Sequence, residues 1–247
     1  MEFDSDGVRL HYELHGPEDG EPVVLVHGFA SDYTLNWVGT RWQETLTGAG
    51  YRVIGLDCRG HGNSEKPHDP AAYALDLMAS DVARLLDHLG IEAARYVGYS
   101  MGARIGLQTI LGTPARVRRA VLGGLGMGGA WHEAEEIARA MRGERTESAV
   151  AKTFYDFASA RANNDMDALA ACILGIQSNL DPARLNAITI PTLIVVGEQD
   201  DIARDVDRLV VSIPTARLVT IPGRNHMSAV IAREFKQAAL EFLAETD

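Results

Sequence analysis

Three side chains of the types needed for nucleophilic acyl transfer stand at the ends of three strand-like runs. Ser100 lies in Gly98-Tyr99-Ser100-Met101-Gly102, entered from Arg95-Tyr96-Val97 and left through Ala103-Arg104-Ile105-Gly106-Leu107, a pattern of strand, sharp turn and helix. Side chains at the two glycine positions would collide with the neighbouring strand or helix, so the spacing leaves the serine alone at the tip of the turn. A serine hydroxyl is a weak nucleophile until a histidine takes its proton, and that histidine needs a carboxylate to set its tautomer and stabilise its charge. Downstream, the β-branched run Thr192-Leu193-Ile194-Val195-Val196 ends in Gly197-Glu198-Gln199-Asp200-Asp201. The run Ala216 to Ile221 ends in Pro222-Gly223-Arg224-Asn225-His226. Each residue also has a plainer reading. Ser100 fits an ordinary strand-to-helix turn, and His226 an exposed loop imidazole. Asp200 fits a helix N-cap before the helical spacing of Ala203 to Val211, a task Asp201 or Asp205 could do as well.

Taken together, the serine turn, the acid loop and the histidine loop resemble the α/β-hydrolase superfamily, whose triad runs serine, acid, histidine along the chain. The family's G-x-x-D after the seventh strand selects Asp200, and its histidine loop after the eighth selects His226. The resemblance further implies an oxyanion hole made by the backbone N–H groups of Phe29, after the strand Pro22 to Val26, and of Met101, after the nucleophile. In the same way it assigns a structural role to His27, in the His27-Gly28 pair. The turn Asp57-Cys58-Arg59-Gly60-His61-Gly62-Asn63-Ser64 is similar to the family's D-x-R-G-H-G-x-S, also structural. The loop after His27 departs from the H-G-G-G pattern of some lipases, so a hole wide enough for tertiary-alcohol esters is not implied. A metal reading of Asp57 and His61 lacks further ligands at usable spacing, and neither H-E-x-x-H nor C-x-x-C occurs.

One pattern points elsewhere. Gly124-Leu125-Gly126-Met127-Gly128-Gly129 fits G-x-G-x-x-G after the strand-like Ala120-Val121-Leu122, with Glu144 twenty residues on. A dinucleotide fold needs a second strand carrying the ribose-binding acid, whereas Trp131 to about Asn186 carries only helical spacing. The glycines therefore read as a hinge leading into an inserted lid.

Stepping outward, strand-like runs separated by helical spacing imply an α/β class fold. It is a mostly parallel sheet covered by helices on both faces, with the candidate residues at the carboxyl ends of strands. Glu2 to Leu14 alternates around Asp4-Ser5-Asp6-Gly7 as an opening antiparallel hairpin. Asn36 to Gly48, Ala71 to Leu89 and Ser228 to Leu243 read as covering helices, the second with Leu75, Met78, Val82, Leu85, Leu86 and Leu89 on one side. Residues 125–186 read as a helical lid with segments near Trp131 to Met141, Ser148 to Ala162 and Asp165 to Gln177, leaving 1–124 and 187–247 as the core. Met127, Trp131, Met141, Phe154, Tyr155, Phe157 and Met166 read as lid core or as a wall facing substrate, and none is assigned to binding.

A chain of 247 residues, 46% hydrophobic and 23% charged, is long enough for one sizeable domain burying roughly 70 to 75% of its unfolded surface. Its net charge of −11 argues against nucleic acid and anionic membranes, which are bound through Lys and Arg clusters. Two cysteines, Cys58 and Cys172, indicate neither a disulfide framework nor a metal site. With no signal peptide or long apolar span, the expected location is the cytoplasm.

The resemblance thus implies a serine hydrolase of carboxylic esters that works through an acyl-enzyme on a small-molecule substrate and needs no cofactor. Relatives with an aspartate nucleophile, the epoxide hydrolases and haloalkane dehalogenases, are disfavoured by Ser100. Enol-lactonases, C–C hydrolases of ring-cleavage products, thioesterases and perhydrolase-like enzymes share the triad. A ring-cleavage product carries a carboxylate and calls for a pocket arginine, for which the lid offers Arg139, Arg142 and Arg161. A slow-turnover small-molecule receptor on the same fold is the reading from another class, and the oligomeric state is open.

Overall fold

A computed structural model describes residues 1–127, 133–177 and 180–246. Gly128, Gly129 and Trp131 of the sequence reading lie outside the described residues. Eight strands form one sheet in the order β1-β2-β4-β3-β5-β6-β7-β8. β1 (Glu2–Ser5) and β2 (Val8–His15) make an antiparallel hairpin, closed by Asp6 and Gly7, both left-handed as a type I′ turn requires. β2 pairs antiparallel with β4 (Arg52–Leu56). From there β3 (Pro22–Val26), β5 (Ala94–Tyr99), β6 (Val117–Gly123), β7 (Thr192–Gly197) and β8 (Ala216–Ile221) continue in parallel.

The runs of Val, Ile and Leu in β3 and β7, and the whole of β5, are buried nearly throughout, because helices cover both faces of a parallel sheet. Alternate residues go to different cores. Val24 and Val26 join one cluster with Met78, Val82 and Leu85 of α2 (Leu75–His88) and with Ile105 and Leu107 of α3 (Met101–Gly112). Val23 and Leu25 join the other, with Trp42 and Leu46 of α1 (Trp42–Gly48) and, towards the C-terminus, Phe235 and Phe242. Between β6 and β7 the chain forms α4 (Ala134–Met141), α5 (Ala149–Ser159), α6 (Met166–Gly175) and the short α7 (Pro182–Leu185). Ser148 and Asp165 cap α5 and α6 by accepting from the N–H groups of Ala151 and Ala168. α8 (Val206–Ser212) follows β7, and α9 (His226–Ala229) and α10 (Arg233–Leu243) follow β8. Among the described residues no helix is long and apolar enough to cross a membrane.

Three expected helices are interrupted. Asn36 to Gly48 is split by Arg41, which adopts φ 66°, into a π-helical turn over Thr34–Val38 and α1. Ala71 to Leu89 is broken at Ala74, whose extended ψ of 134° separates a 3₁₀ turn from α2. Ser228 to Leu243 is broken before α10, where the Trp42 indole N–H donates 2.7 Å to the Val230 carbonyl and holds it outside any helix. Apolar periodicity runs through all three breaks, so it could not reveal them.

Candidate active site

At the end of β5 the chain turns within one residue into α3. Ser100 occupies that corner at φ 53°, ψ −111°, a strained conformation for a residue with a side chain, held by its N–H bond to Gly123 O at 2.7 Å. The flanking glycines are needed for space. A Cβ on Gly98 would lie 2.4 Å from Gly102 O, and one on Gly102 would lie 2.0 Å from Val26 O.

His226 reaches the same place as the first residue of α9. Asn225 caps that turn reciprocally with Ser228, and Tyr99 donates its hydroxyl to the His226 carbonyl at 2.6 Å. His226 Nε2 lies 2.9 Å from Ser100 Oγ, and Nδ1 lies 3.0 and 2.9 Å from the two carboxylate oxygens of Asp200. Both members of that pair are withdrawn from solvent, with side chains 7% and 1% exposed. Asp200 Oδ1 also accepts from the N–H groups of Ile202 and Ala203. One carboxylate thus ties its own loop and orients the histidine, having enough lone pairs for both, but it caps no helix, because α8 begins only at Val206 with Asp205 at its N-cap position. Asp201 is exposed.

The glycine run packs against these residues. Gly124 has φ +65°, and a Cβ there would sit 3.0 Å from His226 Cε1; one on Gly126 would sit 2.0 Å from Arg204 O, in the acid loop. Close approach to the histidine and acid loops accounts for both glycines, and Glu144 pairs with Arg139. A methyl at Gly126 would push on the Asp200 loop, so that position does not report on a hinge.

The loop after β3 is built on buried histidines. His27 Nδ1 bonds Gly28 O while Nε2 accepts from Cys58 N–H. His61 Nδ1 bonds Arg59 O while Nε2 accepts from the N–H of Ala30, itself left-handed at φ 56°. Asp57 accepts from Tyr33 and Asn63 N–H groups, and Arg59 makes a buried bidentate pair with Asp81. The turn 57–64 is thus a brace for the 27–33 loop. Burial lowers the pKa of His27 and pushes that of His61 down to about 3. In the unfolded chain both would protonate near pH 6.5, so below that pH the unfolded state binds protons that the folded state refuses. Stability should therefore fall as pH drops from about 6.5 towards 3, with His61 alone contributing a slope of about 1.4 kcal/mol per pH unit. Urea midpoints measured at pH 7, 5.5 and 4.5 check this, and a flat profile would contradict it.

Gly28 N–H donates to Asn36 Oδ1 at 2.9 Å. Among the described residues, the N–H groups of Phe29 and Met101 have no hydrogen-bond acceptor within the protein. Beside them opens a cavity of about 240 Å³ whose floor holds Ser100 and His226. Its walls include Phe154 and Phe157 of α5, together with Met227 of α9 and Val230 and Ile231 from the break after it. Phe154 also packs on Phe29, with ring centroids 5.7 Å apart. Met127, Met141 and Met166 are not among its lining residues; Met141 belongs to the core cluster and the other two pack against it. Sequence reading missed Leu35, Asn36 and the three apolar residues after His226. Their only available signal was position beside the two active loops.

None of Arg139, Arg142 and Arg161 lines this cavity. Arg139 pairs with Glu136 and Glu144 at the surface, Arg142 is exposed, and Arg161 bonds Asp32.

A family profile described as the alpha/beta hydrolase fold matches residues 21–154. The chain is 31% identical to RutD of Variovorax paradoxus (strain S110), provisionally named a carbamate hydrolase, over 95% of this chain and 96% of that protein. Among solved structures it is similar to a hydrolase from Pseudomonas aeruginosa PA01, at TM-score 0.84 and 26% identity, covering 99% of this chain and 98% of that one. It is also similar to a thermophilic esterase from Thermogutta terrifontis, at TM-score 0.79 and 26% identity, covering 98% and 96%. The chain belongs to the alpha/beta hydrolase family, and it is a hydrolase.

Proposed function

We propose that the protein hydrolyses uncharged carboxylic esters through an acyl-enzyme, with Ser100 as nucleophile, His226 as general base and acid, and Asp200 orienting the imidazole. His226 takes the Ser100 proton as Oγ attacks the carbonyl, and the Phe29 and Met101 N–H groups receive the developing oxyanion. The imidazolium then protonates the departing alkoxide. Water repeats the sequence on the acyl group. Residues 125–186 serve as the lid, and α5 supplies the wall that limits substrate size and excludes water.

The observation that carries this reading is the unbroken chain of hydrogen bonds from Ser100 Oγ through His226 to Asp200, opening on a mostly apolar cavity. Among the described residues no Lys or Arg lines it, which favours an uncharged ester over a ring-cleavage product bearing a carboxylate. The names of its relatives span carbamates and esters, which the same attack would cleave.

A fluorophosphonate probe tests the assignment. Peptide mass mapping should find label on Ser100 alone, with steady-state turnover of aryl acetate and butanoate esters exceeding that of the matching carbamates. Label on another residue would overturn the nucleophile. Tight ester binding without turnover would favour a receptor.

A further inference from the structure

Two apolar side chains of the cavity stand in water. Met227 is 38% and Ile231 50% exposed although both line the cavity, which places them at its mouth. Single exposed apolar residues are ordinary, but two on the rim of one apolar cavity carry its surface outward into solvent. Both are fixed by their neighbours. Met227 lies in α9 next to His226, which bonds Asp200 and Ser100, and Ile231 follows Val230, whose carbonyl accepts from the Trp42 indole. The cavity of about 240 Å³ is only about half as large again as the roughly 150 Å³ that holds a benzene ring, so a longer substrate must extend through the mouth.

The proposed chemistry decides which end of an ester does so. The attacked carbon carries its oxygen, the leaving group and the acyl chain. The oxygen turns to the Phe29 and Met101 N–H groups, and the leaving oxygen must lie at His226 Nε2, which protonates it. The alcohol portion therefore starts beside His226, on the side of Met227 and Ile231. That leaves the acyl chain to Phe154 and Phe157 of α5.

We infer that Met227 and Ile231 are specificity-determining residues that cover the alcohol portion of the substrate where it leaves the cavity. The preferred substrates are esters that join a short acyl group to a longer apolar alcohol. The inference rests on the esterase reading of the same site.

Hexyl acetate and ethyl hexanoate test it, because these isomers add the same four methylenes to ethyl acetate, one on the alcohol side and the other on the acyl side. A fully buried methylene is worth about fourfold in affinity and one covered on a single side about twofold, so wild-type kcat/KM should be about tenfold higher for hexyl acetate than for ethyl acetate. It should also exceed that for ethyl hexanoate. Met227→Gln and Ile231→Asn nearly keep side-chain volume and exchange apolar for polar surface at exposed positions. Each should lower the ratio of hexyl acetate to ethyl acetate about threefold while changing the ratio of ethyl hexanoate to ethyl acetate by less than about twofold. Comparing ratios cancels any general effect of a substitution on His226 or on folding. Equal losses on all three esters would overturn the inference and leave both residues as supports of the histidine loop. A larger fall for ethyl hexanoate would also overturn it, by putting the acyl chain on these residues. Wild-type protein that hydrolyses none of the three would overturn the esterase reading and this inference with it.

Discussion

Replacing Ser100 with alanine should lower kcat for an aryl acetate on the order of 10⁶-fold, the loss typical when the nucleophile of a working triad is removed. The change deletes one oxygen and keeps the Cβ, so the corner residue carries the same backbone strain at φ 53°. His226 stays anchored by Asp200 and by the Tyr99 bond to its carbonyl. Thermal stability should therefore stay close to wild type while turnover disappears. A residual rate above the uncatalysed reaction is expected from the Phe29 and Met101 N–H groups and from substrate positioning. Steady-state assay beside a melting curve reads both quantities. A stable Ser100→Ala protein that retains ester turnover within tenfold of wild type would remove the acyl-enzyme mechanism.

The second large effect separates two adjacent acids. Asp200→Asn should lower kcat by about 10⁴-fold, whereas Asp201→Asn should cost at most about tenfold. The structure supplies the reason. Asp200 Oδ1 is committed to the Ile202 and Ala203 N–H groups, so in the asparagine variant the amide oxygen stays there. The amide nitrogen then takes the place of Oδ2, 2.9 Å from His226 Nδ1. A donor at that point forces Nδ1 to accept and puts the imidazole proton on Nε2, which can then no longer take the proton of Ser100. The loop contacts survive, so the loss should fall on kcat without unfolding the protein. Asp201 faces solvent. A larger kcat loss at Asp201 than at Asp200 would move the role to that residue.

The interrupted helices show where periodicity stopped being informative. Helical spacing in 228–243 described the apolar face of α10, yet the departure of the chain around Val230 depends on the Trp42 indole, 188 residues away in sequence. That departure places Val230 and Ile231 at the cavity, so this part of its lining was invisible without the tertiary contact. The glycine run is a second case. Its spacing imitates a nucleotide-binding turn, whereas Gly124 and Gly126 are small because His226 and the Ala203-Arg204 backbone lie against them.

The sequence by itself determined the sheet, because runs buried on both faces and short β-branched segments ending in polar loops have few other ways to hide. It also determined which residue types stand at the strand ends, Ser100 by the room its flanking glycines leave, and Asp200 and His226 by their place after β7 and β8. Tertiary structure alone decided that Ser100 and Asp200 each come within 3.0 Å of His226, on opposite sides of its ring. It alone decided that Phe154 and Phe157 face the cavity while Met141 turns into the core, and that Arg161 is spent on Asp32. The division has one physical cause. Strand formation and turns are set by neighbours along the chain, whereas side-chain direction and charge pairing depend on which distant surfaces pack together, and hydrophobic burial does not encode that choice locally.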